Sequence, residues 1–588
     1  MQKNYNRSKR TAPRYPNARR APLRSRKFAS NKLRIMVLGG LEEVGRNCTL
    51  FEYGNEIIVI DMGLQFPEED MPGIDYIVPN FDYVRGKEKN IKGVIITHGH
   101  YDHIGGIPHI MGNIGNPPMY MGRMTAGLVR KREEDYRNNN KLNIAEINED
   151  TKLQLGNYFR IEFLRVNHSI PDCFAVIIHT PAGTIIHTGD FKIDFSPIND
   201  KPADLNRIAQ IGGQGVLMLM SDSTDAVHPG YQISESAIGS QIGKILENVD
   251  GRIIIGTFAS QLSRVQQLLT LAEKHGRKVY LQGRSMNNNV EIAHKIGYLK
   301  FNPKLLVNDA EFRRLPDNKV MIIGTGAQAE SNAFLLRVVN GEHRTVKIQK
   351  NDTVIFSSSV IPGNERSIQK LKDSIVGKGA KVVHYQMMDV HAGGHAKQED
   401  LKLMMRLLKP EYLMPIEGNL FMLKTHAELA EQIGISPEKI FVASNGQVVE
   451  FKKGARGKTV GELTNEKVVT DYVMVDGLGV GDSNDVVLRD RRMLAQDGMF
   501  VVIVTLDTKT GELIGNPDIV SRGFVYLKEH KPLIEQARMR VKKLLKDSDI
   551  ASPTFEDYLK NKIRNDIGQF LFTKTKKRPM VLPVLIEV

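Results

Sequence analysis

Cysteine is nearly missing from this sequence: its 588 residues hold two, Cys48 and Cys173. Two thiols are too few for a disulfide framework or a thiolate-held zinc, so the composition fits a reducing cytoplasm. Long apolar runs are missing as well. None approaches the ~18 residues that a membrane span needs, so no membrane partner is predicted. No internal repeat appears. What remains is the composition of a globular protein, 41% hydrophobic and 25% charged. The length predicts about three or four domains with large cores.

Acidic residues are missing from the first thirty positions, which carry Lys3, Arg7, Lys9, Arg10, Arg14, Arg19, Arg20, Arg24, Arg26 and Lys27. This arm supplies ten of the fourteen net positive charges. Such a segment suits polyanion binding by counterion release, and RNA is the natural polyanion. A solubilising disordered tail and an Arg-rich transit peptide are the other readings; the apolar core of a secretory signal is lacking.

Further on, β-branched runs at 33–38, 56–60, 93–97, 159–166, 174–179 and 183–187 are separated by glycine and asparagine turns. They predict stacked sheets buried on at least one face. A polar, charged stretch at 121–140 is helix-compatible. From about 215, short strands at 216–220, 252–257, 278–281, 319–323 and 353–357 alternate with amphipathic stretches such as 262–275, the pattern of an α/β unit with a largely parallel sheet. Strands at 382–387 and 412–416 follow. The polar stretch 451–467 reads as a linker, and the remainder as a small α/β domain.

Residues 97–109 read THGHYDHIGGIPH and follow the apolar run 93–96, where a buried strand empties into a loop. His98, His100, Asp102 and His103 form the pattern H-x-H-x-D-H. With sixteen histidines in the chain, three within six positions beside an aspartate are improbable by chance. Imidazoles and a carboxylate so crowded predict a metal site. Further ligands must come from elsewhere, and His168 and Asp190, each at a strand end, are the candidates. Asp190 can bridge two cations, with His98, His100 and His168 on one and Asp102 and His103 on the other. Two metals ~3.5–4 Å apart activate water and stabilise both oxygens of a phosphoryl displacement. Zinc suits the imidazoles, and residue type leaves manganese open.

The cluster, with Asp61, His168 and Asp190 in this order, resembles the signature of metallo-β-lactamase-fold hydrolases, and the later α/β segment resembles the inserted β-CASP domain. Matching segments extend over almost the full length and resemble the ribonuclease J family. They include LEEVGRNC at 41–48, HSIPD at 168–172, HTGDFK at 187–192, SDST at 221–224, IPGNE at 361–365, HAGGH at 391–395, DGLGVGD at 476–482 and LRDRR at 488–492. The resemblance implies an α/β fold: an αββα sandwich (31–220 and 386–450), a β-CASP insert (221–385) and a C-terminal domain (468–588), with a tail at 1–30. It implies 5′-to-3′ exonuclease and endonuclease action on single-stranded RNA, in RNA maturation and mRNA decay.

By the same resemblance Asp102 and Asp222 serve the catalytic centre, and His395 sits over the scissile phosphate. His391, Ala392, Gly393, Gly394 and His395 contact the RNA backbone. A 5′-monophosphate is held near 391–395 and 357–359, and 324–328 contacts bases. Asp75 and Asp476 are candidate calcium ligands. A homodimer or homotetramer and membership of an RNA-degradation complex are further implications. Two departures stand out. Glu417 occupies the place of a usual ligand histidine, which favours manganese or magnesium there. ASQLSR at 259–264 replaces a stretch that usually contains Asn and His. A catalytically weak RNA-binding subunit and another hydrolase on the same scaffold are the competing readings.

Overall fold

All five residues of Glu56–Ile60 are buried, and a strand covered on both faces must lie inside a layered structure. The computed structural model describes residues 31–588 apart from 69, 137–141, 327–332, 359–363, 385–386, 388–389, 455–456, 478, 482–484, 508–509, 511, 526–529 and 547–554. The basic arm at 1–30 lies outside the described residues, as do 327–328 and 359 of the expected substrate stretches and 361–363 of the IPGNE segment.

Two mixed sheets stack face to face. The first runs, edge to edge, through Thr459–Lys467, Gln447–Lys453, Lys32–Gly39, Cys48–Tyr53, Glu56–Ile60, Ile91–Ile95, Met119–Met121 and Ile144–Glu146. The second runs through Tyr412–Ile416, Met218–Asp222, Gly183–His187, Cys173–Thr180, Phe159–Val166 and Lys152–Leu155. Alternate side chains of both meet in one core that includes Ile35, Phe51, Ile58, Phe163, Val176, Met218 and Met414. Each such burial stabilises the fold by roughly 1.5–3 kcal/mol. Helices Leu205–Gly213 and Gln398–Leu408 cover the outer face of the second sheet through Ile208, Ile211, Leu401 and Met405. Ile104, Ile107, Ile110 and Val129 cover that of the first.

Between Met218–Asp222 and Tyr412–Ile416 the chain builds a separate five-stranded sheet in the order Lys278–Gln282, Val320–Gly324, Ile253–Gly256, Thr353–Phe356, Lys381–His384. All its pairings are parallel. In helix Leu262–Lys274 the buried Leu262, Val265, Leu268, Leu269 and Ala272 recur at helical spacing, the stripe that packs a crossover helix on a sheet. At the C-terminal end, Met499–Leu506 lies between Asp518–Arg522 and Met580–Glu587. Helices Lys531–Lys546 and Phe555–Thr575 close over Phe500, Val502 and Val504 through Val541, Leu559 and Ile563.

The stretch 451–467 is not a linker. Gln447–Lys453 and Thr459–Lys467 pair antiparallel at the edge of the first sheet, and Lys452 faces Lys32 on the other side. Phe451 is fully buried, while Lys452 and Glu462 form an exposed ion pair at 3.2 Å. Charged residues are what an edge strand carries to prevent pairing with other chains, so here charge marks an edge and not a linker.

Candidate metal centre

Parallel pairing puts several strand ends on one rim of the sandwich. Ile60 lies beside Ile95, His187 beside Met220 and Asp222 beside Ile416. The residues that follow, Asp61, the 97–103 loop, Asp190 and Glu417, therefore converge, as expected at the carboxyl ends of such strands. Asp61 and Glu417 both have left-handed backbones, with φ of 61° and 58°. Backbone held in that region by a surrounding structure is common where side chains are aimed at a site. Gly63 allows the approach: a Cβ there would lie 1.6 Å from the Asp102 carbonyl oxygen.

The structure brings His98, His100, His168 and Asp190 together. His98 Nε2 and His168 Nε2 each lie 3.0 Å from His100 Nδ1. Asp190 Oδ2 is 3.5 Å from His98 Nε2 and 3.6 Å from His168 Nε2. Asp190 Oδ1 faces the other way, 3.2 Å from His103 Nε2, which is 3.5 Å from Asp102 Oδ2. Asp190 thus joins two donor groups, each with its ligand atoms within 4.8 Å of one another. Glu417 lies in a third such group with Asp61 and His103. Both Glu417 carboxylate oxygens are buried with no hydrogen-bond partner. A buried carboxylate without a partner is costly, and a divalent cation satisfies it. By these measures the residues fit divalent metal ions.

Residues behind the donors hold their rings. Asp61 accepts from Thr97 N, Thr97 Oγ1 and His103 Nδ1, each at 2.8 Å. His168 Nδ1 donates to the Gly394 carbonyl at 2.7 Å. Both acceptors demand a proton on Nδ1, and so turn Nε2 of each ring towards the donors, the arrangement that orients ligating histidines in metal proteins. Thr97 Oγ1 is 3.1 Å from His98 Nδ1, and Asn47 Nδ2 is 3.0 Å from His103 Nε2. Sequence reasoning gave no role to Thr97 or Asn47. The signals for them are adjacency to the cluster for Thr97 and membership of the matching segment 41–48 for Asn47.

The electrostatics follow from burial and crowding. Burial, then the neighbouring imidazole (His103 for one, His100 for the other), holds His98 and His168 well below the ordinary imidazole range. Burial opposes charge on His103 too, but Asp190, Asp102 and Asp61 outweigh it and push its pKa well up. Glu417 is pushed well up by burial and by Asp190.

Beside the donors, His395 Nδ1 donates to Asp222 Oδ2 at 2.9 Å and lies 3.9 Å from Asp190 Oδ2. Its side chain is 27% exposed, the open side of the site. Burial opposes its charge, but Asp222 and Asp190 raise its pKa to about 10. Asp222 also accepts from Thr224 N at 2.9 Å.

Other expected residues are placed differently. Ala392 is buried in the core, and Gly394 spends its carbonyl on His168. Ser357 is fully buried with its hydroxyl on the Val390 carbonyl at 2.7 Å, so it supports a loop and does not face a phosphate. The expected calcium pair is engaged otherwise. Asp476 forms an ion pair with Arg491, and Asp75 accepts from Gly477 N at 2.8 Å. A guanidinium already neutralises Asp476, and no group of three or more His, Cys, Asp or Glu ligands includes either aspartate among the described residues. No described helix is long and apolar enough to cross a membrane.

Stacked sheets with a shared aspartate between two donor groups, interrupted by a parallel-sheet insert, define a metallo-β-lactamase-type scaffold carrying a β-CASP domain. Family models agree. The metallo-beta-lactamase superfamily matches residues 41–232, the ribonuclease J beta-CASP domain 250–375 and the ribonuclease J C-terminal domain 486–588. Ribonuclease J 1 of Streptococcus pyogenes serotype M3 is 40% identical over 95% of this chain and 98% of its own. Ribonuclease J2 of Bacillus subtilis is 38% identical over 96% and 100%. A solved protein of unknown function from Enterococcus faecalis V583 shares the fold, with a TM-score of 0.50 at 15% identity, over 71% of this chain and 100% of its own. The chain belongs to the ribonuclease J family.

Proposed function

We propose that this protein is a metal-dependent ribonuclease that hydrolyses single-stranded RNA from 5′ ends and internally, acting in RNA maturation and mRNA decay in the cytoplasm. The observation that carries this reading is the pair of donor groups joined by Asp190, with His395 on the exposed side. Two divalent cations bound there would acidify a water and neutralise charge on the phosphodiester. His98, His100, His168 and Asp190 would hold one; Asp102, His103, Asp190 and Glu417 would hold the other. Zinc suits the three-imidazole group, and the extra carboxylate of Glu417 favours manganese or magnesium at its neighbour.

The chain's own groups do the rest. Asp222 fixes His395 through Nδ1, and the Asp222 carboxylate favours a proton on the ring. Nε2 is left to donate to a phosphate oxygen or to protonate the leaving oxygen. RNA enters between the sandwich and the insert, where the backbone of His391 and Gly393 would meet phosphates. Family membership supports a homodimer or homotetramer and a place in an RNA-degradation complex.

The test uses purified protein, defined metals and labelled RNA with 5′-monophosphate, triphosphate or hydroxyl ends. Metal-dependent cleavage by wild type and its loss in His98→Ala are expected; no cleavage under any condition would sink the nuclease reading. Glu417 favours a second reading, a catalytically weak RNA-binding subunit. Such a subunit would bind RNA equally well with and without His98.

A further inference from the structure

Residues 391–395 lie in no helix or strand, yet three of their carbonyls and that of Val390 are held by side chains from far along the sequence. Val390 O accepts from Arg264 Nη1 at 2.9 Å and from Ser357 Oγ at 2.7 Å. Ala392 O accepts from Gln261 Nε2 at 3.4 Å, Gly394 O from His168 Nδ1 at 2.7 Å and His395 O from Gln232 Nε2 at 2.9 Å. Arg264, Ser357 and Gln261 belong to the inserted domain, whereas His168 belongs to the sandwich.

Arg264 is the centre of this support and is wholly buried. Its Nε and Nη2 pair with both oxygens of Glu235 at 3.0–3.1 Å, and Gln267 Nε2 donates to the same carboxylate at 3.1 Å. That leaves Nη1 for Val390 O and the Ser357 hydroxyl. A buried ion pair stabilises a fold little better than apolar side chains of the same volume. What it adds is direction, because a planar guanidinium fork delivers its donors at fixed angles.

We propose that Arg264, held by Glu235 and relayed by Ser357, is a positioning residue for the 391–395 loop. Through Val390 it sets the Gly394 carbonyl that orients His168, and it sets the place of His395 beside Asp222. The inserted domain thereby tunes the metal donors without touching them. The activity readout rests on the nuclease reading; the metal readout does not.

The experiment compares full-length wild type with Arg264→Lys, Glu235→Gln and Ser357→Ala. RNA cleavage gives kcat and KM, and competition with a chromophoric chelator gives zinc affinity. Lysine keeps the charge but loses the fork, and Ser357→Ala removes one hydroxyl and decides the matter if the others fail to fold. Loss of a supporting contact behind a metal ligand typically weakens metal affinity or activity about 10–100-fold. A fall of that size in kcat and in zinc affinity, with KM within about threefold, is expected. Wild-type kcat and zinc affinity in a folded Ser357→Ala protein would overturn the proposal. So would a kcat loss that merely tracks unfolded protein while zinc affinity stays intact. If wild type cleaves no RNA, the nuclease reading fails alone, and zinc affinity still decides the positioning role.

Discussion

Asp61→Asn is the most searching single change, because it alters one atom and reverses the hydrogen bonds to it. Asp61 is 1% exposed and accepts three hydrogen bonds of 2.8 Å. In the variant, Oδ1 can still accept from Thr97 N, but an amide NH2 then faces both Thr97 Oγ1 and His103 Nδ1. The hydroxyl can rotate and accept. The ring can accept only as the other tautomer, with its proton on Nε2, the nitrogen 3.2 Å from Asp190 Oδ1. A protonated Nε2 cannot ligate. The hydrogen bond lost is to a charged group, about 1.5–3 kcal/mol, which corresponds to about 10–150-fold in the affinity of the Asp102–His103–Asp190 group for a cation. Metal stoichiometry after dialysis against graded chelator, with circular dichroism to verify folding, measures this. One tightly held metal per chain where wild type keeps two, with RNA cleavage reduced at least tenfold, is the expected result. A folded variant that keeps wild-type stoichiometry and cleavage would refute the tautomer reasoning.

Three other changes test separate parts of the site. Glu417→His replaces an anionic oxygen donor by a neutral nitrogen, so zinc retention at the second group should rise and manganese-supported cleavage fall by at least about threefold; an unaltered preference in a two-metal competition would exclude Glu417 as a ligand. His395→Gln keeps a hydrogen-bonding side chain but loses the charge, and kcat should fall by about 10²–10⁴ with metal content unchanged; steady-state kinetics at saturating RNA measures it. In Gly394→Ala the new methyl would lie 2.5 Å from His168 Cε1, and overpacking of this kind costs about 1–3 kcal/mol. A lower unfolding midpoint and weaker zinc binding are expected together, and a loss of stability with zinc affinity intact would separate Gly394 from the metal donors.

The contiguous part of the site was legible because a strand followed by a tight loop places neighbours in sequence beside one another in space. His98, His100, Asp102 and His103 needed no knowledge of the fold. The inserted sheet was legible for a similar reason: its strands are uniformly apolar and its helices carry a clear stripe, as in Leu262–Lys274. Elsewhere the patterns misled. Cys48–Tyr53 is fully buried but contains Thr49 and Glu52, and burying Glu52 depends on Arg34 at 3.4 Å and on the Tyr83 hydroxyl. Partners that distant are invisible in a local window. Met580–Glu587 contains Pro583, which argues against a strand. It pairs only with Met499–Leu506, at the end of its sheet, where a missing N–H need not break a ladder.

The remaining site residues were illegible in position even where they were legible in type. Nothing local says that Glu417 meets His103, more than three hundred residues earlier. Two parallel pairings decide it, His187 beside Met220 and Met220 beside Met414. A slip of one residue in either would turn Asp222 or Glu417 to the opposite face. The register is secured by apolar residues that never approach the metal donors, since Met218 and Met414 occupy the core between the sheets and Leu219 and Leu413 the core beyond the second sheet. The same reasoning explains how the family's framework accommodates glutamate at 417. The left-handed backbone there, with its carbonyl accepting from Thr224 Oγ1 at 3.1 Å, brings the Glu417 side chain to Asp61 and His103. Strand register and backbone therefore decide where the side chain at position 417 lies, and its chemistry decides which cation it would suit.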